Sequence, residues 1–408
     1  MFCEARFASI PLAALPGRIG HFTSHHGVCV NFTLSEEQVL LQDSVGRFVA
    51  DHCDVSHHLR FSRTEKGYDT GLWQQFAALG WLAVPFTEAQ GGTGGNAADV
   101  MVFCERLGRG LVREPYLATA ITCGAFLRHG GSAQQQADYI PGIIDGGKQW
   151  AFAFTEASSG YEMASVGCEA TARSDGYCLN GDKIAVLNGH CADYLVVSAR
   201  TAGERRDQRG LTLFIVDTGL PGVTLEPFTA VDGSRVANLR LDNVAVAADC
   251  VLGDADDAWP LMAIVVDNAI IAMGAEALGA MQVLLDSTVE YTRTREQFGQ
   301  PIGKFQALQH RMADMYLKVE ETRSLLYNAV IRMDEGSPET PQACAALKVK
   351  MAEAGKFVSQ QAVQLHGGIG MTNELAVGHH FKRLLLLSKL YGDEDHHLQR
   401  YMALRATR

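Results

Sequence analysis

Residues 177–187 read Tyr177-Cys178-Leu179-Asn180-Gly181-Asp182-Lys183-Ile184-Ala185-Val186-Leu187, and they lie in a block where the period of the chain changes. From about residue 148 to 252, short apolar and β-branched runs recur: Trp150–Phe154, Glu169–Arg173, Tyr177–Leu179, Tyr194–Ala199, Leu211–Val216 and Val236–Leu241. Alternation of this kind sends successive side chains to opposite faces of a strand. Asp175-Gly176 and Asn180-Gly181 stand at hairpin spacing and predict turns. No helical pattern falls between the runs, so the block predicts a small β-barrel or sandwich and argues against a Rossmann unit.

Moving outward, the period becomes helical on both sides. Before the block, Ser35-Glu36-Glu37-Gln38 reads as a capping box, followed by Leu41, Val45, Phe48 and Val49 at helical spacing. Leu72, Trp73, Phe76 and Leu79 form another stripe, closed by Gly80. The run Gly91-Gly92-Thr93-Gly94-Gly95 predicts a flexible connection to a helix over Ala97–Leu107. It is not a phosphate-binding loop, because no strand precedes it and no Gly-Lys-Ser/Thr follows. After the block, Ile270–Thr292, Phe305–Met333 and Gln342–Leu365 are each long enough for a bundle helix, separated by Pro301, the 335–341 turn and Gly367-Gly368. The expectation is an α+β chain: a helical segment at 31–147, a β segment at 148–253 and a four-helix-type bundle at 254–408. Residues 1–30 show no clean period and predict a disordered tail or a start codon placed too early.

The chain has 408 residues, 47% of them hydrophobic and 20% charged, with a net charge of −11. Such a composition excludes collagen-like and low-complexity readings, and an acidic chain without a basic block is a poor ligand for nucleic acid. The ten cysteines contain no CxxC pair, which argues against a zinc ribbon or a disulfide scaffold. The most apolar stretch, 258–281, is interrupted by Asp267, Asn268 and Glu276, so the expectation is a soluble chain without a membrane span.

Two elements in the helical third carry chemistry. The first is Arg295-Glu-Gln-Phe298-Gly299-Gln-Pro301-Ile302-Gly-Lys-Phe305-Gln306-Ala-Leu-Gln309, and the second is Gln364-Leu-His366-Gly367-Gly368-Ile-Gly370-Met371. Taken singly, each is a helix end and a turn. With Thr155-Glu156, Asn180-Gly181-x-Lys183 and the α–β–α order, they resemble the acyl-CoA dehydrogenase family over nearly all of 32–405. Arg113-Glu114-Pro115-Tyr116-Leu117 and the Tyr391-Gly392-Asp393 ending are similar to the small subunit of pimeloyl-CoA dehydrogenase-type enzymes.

The resemblance implies FAD, an acyl-CoA substrate and an electron-transferring flavoprotein as electron acceptor. In the family a carboxylate removes the α-proton while the β-hydride passes to flavin, in a dry slot that holds the reactants together. It implies that Arg295, Phe298, Gln306, Gln364, Gly367 and Gly368 reach the FAD of a neighbouring subunit, with Thr155 on the chain's own flavin side. A guanidinium suits a pyrophosphate, and glycine lets backbone approach a cofactor closely. The compartment implied is the bacterial cytoplasm.

Three departures from the family pattern stand out. The segment usually ending in a small serine is Thr155-Glu156-Ala157-Ser158-Ser159-Gly160-Tyr161-Glu162. The position of a flavin-contacting hydroxyl is Leu187, which cannot donate a hydrogen bond. The usual catalytic glutamate aligns with Tyr391, a poor base with a reference pKa of about 10. The family's alternative base position is Ala269. Asp267 is close in sequence, but two helical residues turn it by about 200°. It reads better as a polar-network residue than as the base.

Elements serving a neighbour's FAD are intact, and elements serving the chain's own slot are degraded. The leading expectation is a subunit of an α2β2 heteromer whose related partner supplies the glutamate. The alternatives are a homotetramer that uses a displaced carboxylate, and a scaffold without catalytic function.

Overall fold

The computed structural model describes residues 33–406. The expected tail at 1–30 lies outside the described residues. Among the described residues six α-helices precede the strands: α1 Glu36–His52, α2 Val55–Ser62, α3 Thr70–Ala78, α4 Ala97–Arg109, α5 Gly124–Gly130 and α6 Ala133–Ile144. The Ser35 hydroxyl accepts from Gln38 N while the Gln38 side chain accepts from Ser35 N, so the forecast capping box starts α1. Phe48, Phe76, Trp81 and Phe103 pack edge-on or tilted at ring separations of 5.0–5.9 Å and give this segment its core.

The glycine run before α4 is tightly packed, contrary to the flexible connection expected. A Cβ on Gly92 would sit 2.1 Å from the Phe86 carbonyl oxygen, and one on Gly95 would sit 2.5 Å from that of Val84. A π-helical stretch, Leu117–Cys123, leads into α5 and is buried throughout. Such wide turns cluster at functional sites.

The middle strands form one eight-stranded sheet. They are β1 Trp150–Ala153, β2 Glu169–Arg173, β3 Gly176–Leu187, β4 Tyr194–Arg200, β5 Leu211–Asp217, β6 Val223–Thr229, β7 Arg235–Ala247 and β8 Val251–Leu252. The order is β6-β7-β3-β2-β4-β5-β8, with β1 parallel beside β4. The Asp175-Gly176 turn forms, since Arg173 pairs with Gly176. The Asn180-Gly181 turn does not. It lies inside β3, where the register against β7 shifts between Leu179 and Gly181. Gly181 has φ +147°, and a Cβ there would meet Cys168 Cα at 2.7 Å. The dipeptide makes a bulge rather than a reversal. A second irregularity follows between Lys183 and Val186, and Ala185 takes φ +53°.

The last third holds α7 Trp259–Thr294, α8 Gln306–Asp334 and α9 Thr340–His366, with a fourth side made by α10 Ala376–Lys389 and α11 Glu394–Ala406. Between α7 and α8, β9 Glu296–Gln297 and β10 Gln300–Pro301 form a small hairpin. Helix α7 is the axis of the molecule. It is long and apolar enough to cross a membrane, with hydropathy 1.7 over its most apolar window, although Asp267, Asn268 and Glu276 interrupt its apolar first half. That window is 72% buried within the fold, which accounts for its composition. Helices α4 and α7 touch backbone to backbone. A Cβ on Gly108 would meet the Glu276 carbonyl oxygen at 2.0 Å, and one on Gly279 would meet that of Glu105 at 2.0 Å.

A buried polar network ties the three segments together. Arg383 on α10 donates to Glu276 on α7 at 2.5 and 3.1 Å, and to Asp232 beside β7 at 3.0 Å. Asp232 also accepts from Ser234, whose hydroxyl in turn accepts from Arg113 of the N-terminal segment.

Candidate functional site

The end of β1, the second irregularity of β3, the π-helical stretch and the loop after α10 enclose a slot of about 220 Å³. Glu156, next to the lining residue Thr155, fixes the backbone behind the slot. Its carboxylate accepts from Gly167 N (2.8 Å), Cys168 N (2.9 Å) and Lys183 Nζ (2.8 Å), with Arg205 at 3.3 Å. Burial pushes this carboxyl up, but the Lys183 charge and the N–H donors outweigh it and hold the group below its usual range. The backbone carbonyl of Thr155 accepts from Ile184 N at 2.8 Å, which fastens the end of β1 to the irregular part of β3. Thr155, Ala185 and Leu187 thereby become slot wall.

Tyr391 forms the opposite wall. It is held at φ +56° in the loop between α10 and α11, and Gly392 follows at φ +113°. Its ring stacks on Phe154 at 5.5 Å and 11°, and Phe154 stacks on Phe152 at 4.7 Å. The phenol lies 3.2 Å from the Thr122 hydroxyl, and His397 Nε2 donates to the Tyr391 carbonyl at 2.9 Å. Burial pushes the phenol above its ordinary value. Of the residues lining the slot only Lys389 is charged, and none carries a carboxylate.

Asp267, named from sequence as a weak candidate base, lies elsewhere. Its carboxylate pairs with Arg400 of α11 at 2.8 and 3.0 Å and borders a separate 720 Å³ cavity between α5, α7 and the turn at 333–341. Burial pushes the Asp267 carboxyl up, against the Arg400 charge. Its role is to dock α11 on α7. Ala269 is fully buried and offers only a methyl group.

The other predicted residues gather on the outer face of the bundle. Arg295 caps α7, and its carbonyl accepts from Ile302 N at 2.8 Å across the β9–β10 hairpin. Phe298 and Gly299 at the hairpin tip have φ +55° and +76°, which suits a tight turn, and Phe298 is 90% exposed. Gln306 opens α8, and Gln364, Gly367 and Gly368 close α9. The two groups meet because Tyr291 stacks on His366 at 4.6 Å and Arg311 donates to Gln361 at 3.0 Å. Arg295, Gln306, Gln364, Gly367 and Gly368 are all exposed, and none lines the slot.

FAD can be tested against both surfaces. A Cβ on Gly367 (φ +66°) or on Gly368 would meet nothing within 4 Å, so bare backbone faces open space beside a guanidinium and two carboxamides. That donor set fits an extended dinucleotide. The slot fits a flavin ring poorly, since Leu187 and Ala185 donate nothing from their side chains and the Phe154–Tyr391 stack already fills part of it.

Two features had no motif in the sequence. The left-handed Ala185 is silent in sequence. The Arg383–Glu276–Asp232–Arg113 network joins residues far apart in the chain, and charges isolated in apolar runs, such as Glu276, are its only signal.

Helical, β and helical segments around an aromatic slot, with bare glycine backbone, a guanidinium and two carboxamides exposed on the bundle's outer face, are the architecture of a flavin-dependent oxidoreductase. Family models confirm the order: the acyl-CoA dehydrogenase N-terminal domain matches residues 35–147, the middle domain 151–244 and the C-terminal domain 259–403. The chain belongs to the acyl-CoA dehydrogenase family, FAD flavoproteins that act on CH–CH bonds. A short-chain specific acyl-CoA dehydrogenase of Megasphaera elsdenii is 32% identical over 330 residues, which span 78% of this chain and 86% of the relative. The solved butyryl-CoA dehydrogenase of that organism superposes with a TM-score of 0.86 at 28% identity, covering 93% of this chain and 100% of the other. A chain of the ChsE4–ChsE5 complex of Mycobacterium tuberculosis superposes with a TM-score of 0.85 at 27% identity, covering 93% and 100%.

Proposed function

We propose that this chain is the subunit without a base in an acyl-CoA dehydrogenase built from two related chains. The observation that carries the reading is the contrast between the two surfaces. The outer cradle keeps Arg295, Gln306, Gln364 and open Gly367-Gly368 backbone, whereas the slot holds Tyr391 and no carboxylate. When bound, FAD accepts the hydride that leaves the β-carbon of an acyl thioester, and an electron-transferring flavoprotein then takes the electrons. This chain's contribution is to bind: Arg295 holds phosphate charge, the glutamines donate to the cofactor, and the glycines let it lie against backbone. The partner's slot supplies the carboxylate. A solved complex described by two chain names, ChsE4–ChsE5, supports such an arrangement by likeness. A homotetramer with a displaced base is the weaker reading, because Asp267 is engaged by Arg400 outside the slot.

The test is to purify the chain alone, and together with a homologue that carries the glutamate, and to measure flavin absorbance and dye-linked acyl-CoA dehydrogenation. The chain alone should be colourless and inactive. The complex should be yellow and active, and Arg295→Ala should lower its flavin content by tenfold or more. Turnover by the chain alone, or unchanged flavin in the Arg295→Ala complex, would refute the reading.

A further inference from the structure

The 720 Å³ cavity between α5, α7 and the turn at 333–341 shares no lining residue with the slot. Ile264, Asn268 and Ile271 border it at positions i, i+4 and i+7 of α7, which is one face of that helix. Val100, Ile121 and Ile271 are buried and form its floor. Ile264, 46% exposed, stands at its rim with His129 and Pro338. A cleft of this size, mostly apolar with a few polar groups converging on it, suits a small organic molecule.

The charged groups around this cavity are unevenly matched. Arg128, Asp267 and Asp334 border it. Both acids are engaged: Asp267 pairs with Arg400 at 2.8 and 3.0 Å, and Asp334 accepts from Ala97 N (2.8 Å) and Ala98 N (3.2 Å) at the start of α4. Arg128 has no such counterpart. It donates to the Pro85 carbonyl and to Asn268 Oδ1 (3.0 Å), lies 3.2 Å from His129 Nε2, and its Nε is buried without a partner. Burial lowers the guanidinium, with no acid among the described residues close enough to oppose it. Burial and the Arg128 charge push His129 down to about 4, so at pH 7 this neighbour is neutral. A half-buried guanidinium that meets only neutral acceptors is incompletely satisfied, and the two oxygens of a carboxylate match its fork.

We infer that this cavity is a second ligand site, distinct from the slot, which takes a free organic carboxylate with its anionic head on Arg128 and its apolar body over Val100, Ile121, Ile264 and Ile271. The inference does not rest on flavin or on a partner subunit. Because α4, α5, α7 and the turn between α8 and α9 all contribute to the wall, a ligand bound there holds these elements together and stabilises the folded chain.

The test is calorimetric titration of the full chain with octanoate, 1-octanol and octylamine, which share one apolar body and differ in the head. Octanoate should bind about tenfold more tightly than octanol, and octylamine more weakly than either. Octanoate should also raise the melting temperature. Arg128→Gln should bring octanoate down to the level of octanol, and Arg128→Lys should keep most of the difference. Ile264→Trp, at the exposed rim, should weaken octanoate binding by tenfold or more with an unchanged melting temperature, which keeps the test decisive if an Arg128 variant misfolds. Saturating octanoyl-CoA should leave octanoate binding unchanged, since the two cavities are separate. Equal affinity for the three heads overturns the inference, as do binding of none, a preference that survives Arg128→Gln, binding untouched by Ile264→Trp, and displacement by octanoyl-CoA. The readout is binding to this chain alone, so its failure would leave the flavin result of the two-chain reading untouched.

Discussion

At position 391 a phenol stacked on Phe154 and hydrogen-bonded to Thr122 stands where a base would be needed. With its ionisation pushed above the ordinary value, it packs and does not accept protons at neutral pH. Tyr391→Phe removes only the Thr122 contact. It should lower stability by about 1 kcal/mol and leave turnover of the two-chain complex within twofold, as a melting curve and a dye-linked assay would show. Lys348 makes a second point at this scale. It is fully buried on α9, donates to the Leu387 carbonyl, and burial lowers it from 10.5 to about 7. The unfolded chain therefore binds a proton that the folded chain has released between pH 7 and 10, so stability from this group rises with pH across that window. The melting temperature of the wild type should climb relative to Lys348→Met between pH 7 and 9. A constant difference would contradict the buried, weakly basic state.

At the scale of elements, what could be read in advance depended on whether local pattern and tertiary context agreed. The α1 capping box, the Gly80 helix stop and the long bundle helices follow from local chemistry and form as expected. Strand β6 was missed because it is mostly exposed and lacks an apolar face. Asn180-Gly181 has turn chemistry, but pairing on both sides holds it in β3, and Gly181's missing side chain is used for contact with Cys168. The α4–α7 crossing has no motif either. Its glycines look like ordinary helix weaknesses until the two backbones are seen to touch. Gly279→Ala should cost about 2 kcal/mol or more, because the Glu105 carbonyl is backbone and cannot yield, and denaturant unfolding would measure it.

For the whole molecule, the exposed face that gathers Arg295, Gln306, Gln364 and Gly367-Gly368 was legible as a group because its residues lie in two continuous motifs, 295–309 and 364–371. The slot was legible only as a set of departures. The small cavity beside the slot was not legible at all, since Lys66, Arg113, His190, Arg235 and Arg383 come together only when all three segments dock. The resulting protomer exposes Arg295, Gln306, Gln364 and open glycine backbone on its outer face, and its inward slot is lined by Tyr391 without a carboxylate. An assembly of two such chains with two glutamate-bearing partners should hold flavin only in the partners' slots. The most direct measurement is therefore flavin stoichiometry: absorbance of released FAD against protein concentration in the purified complex. Two flavins per tetramer, one for each pair of chains, is the predicted value. Four per tetramer, one in every chain, would contradict the account.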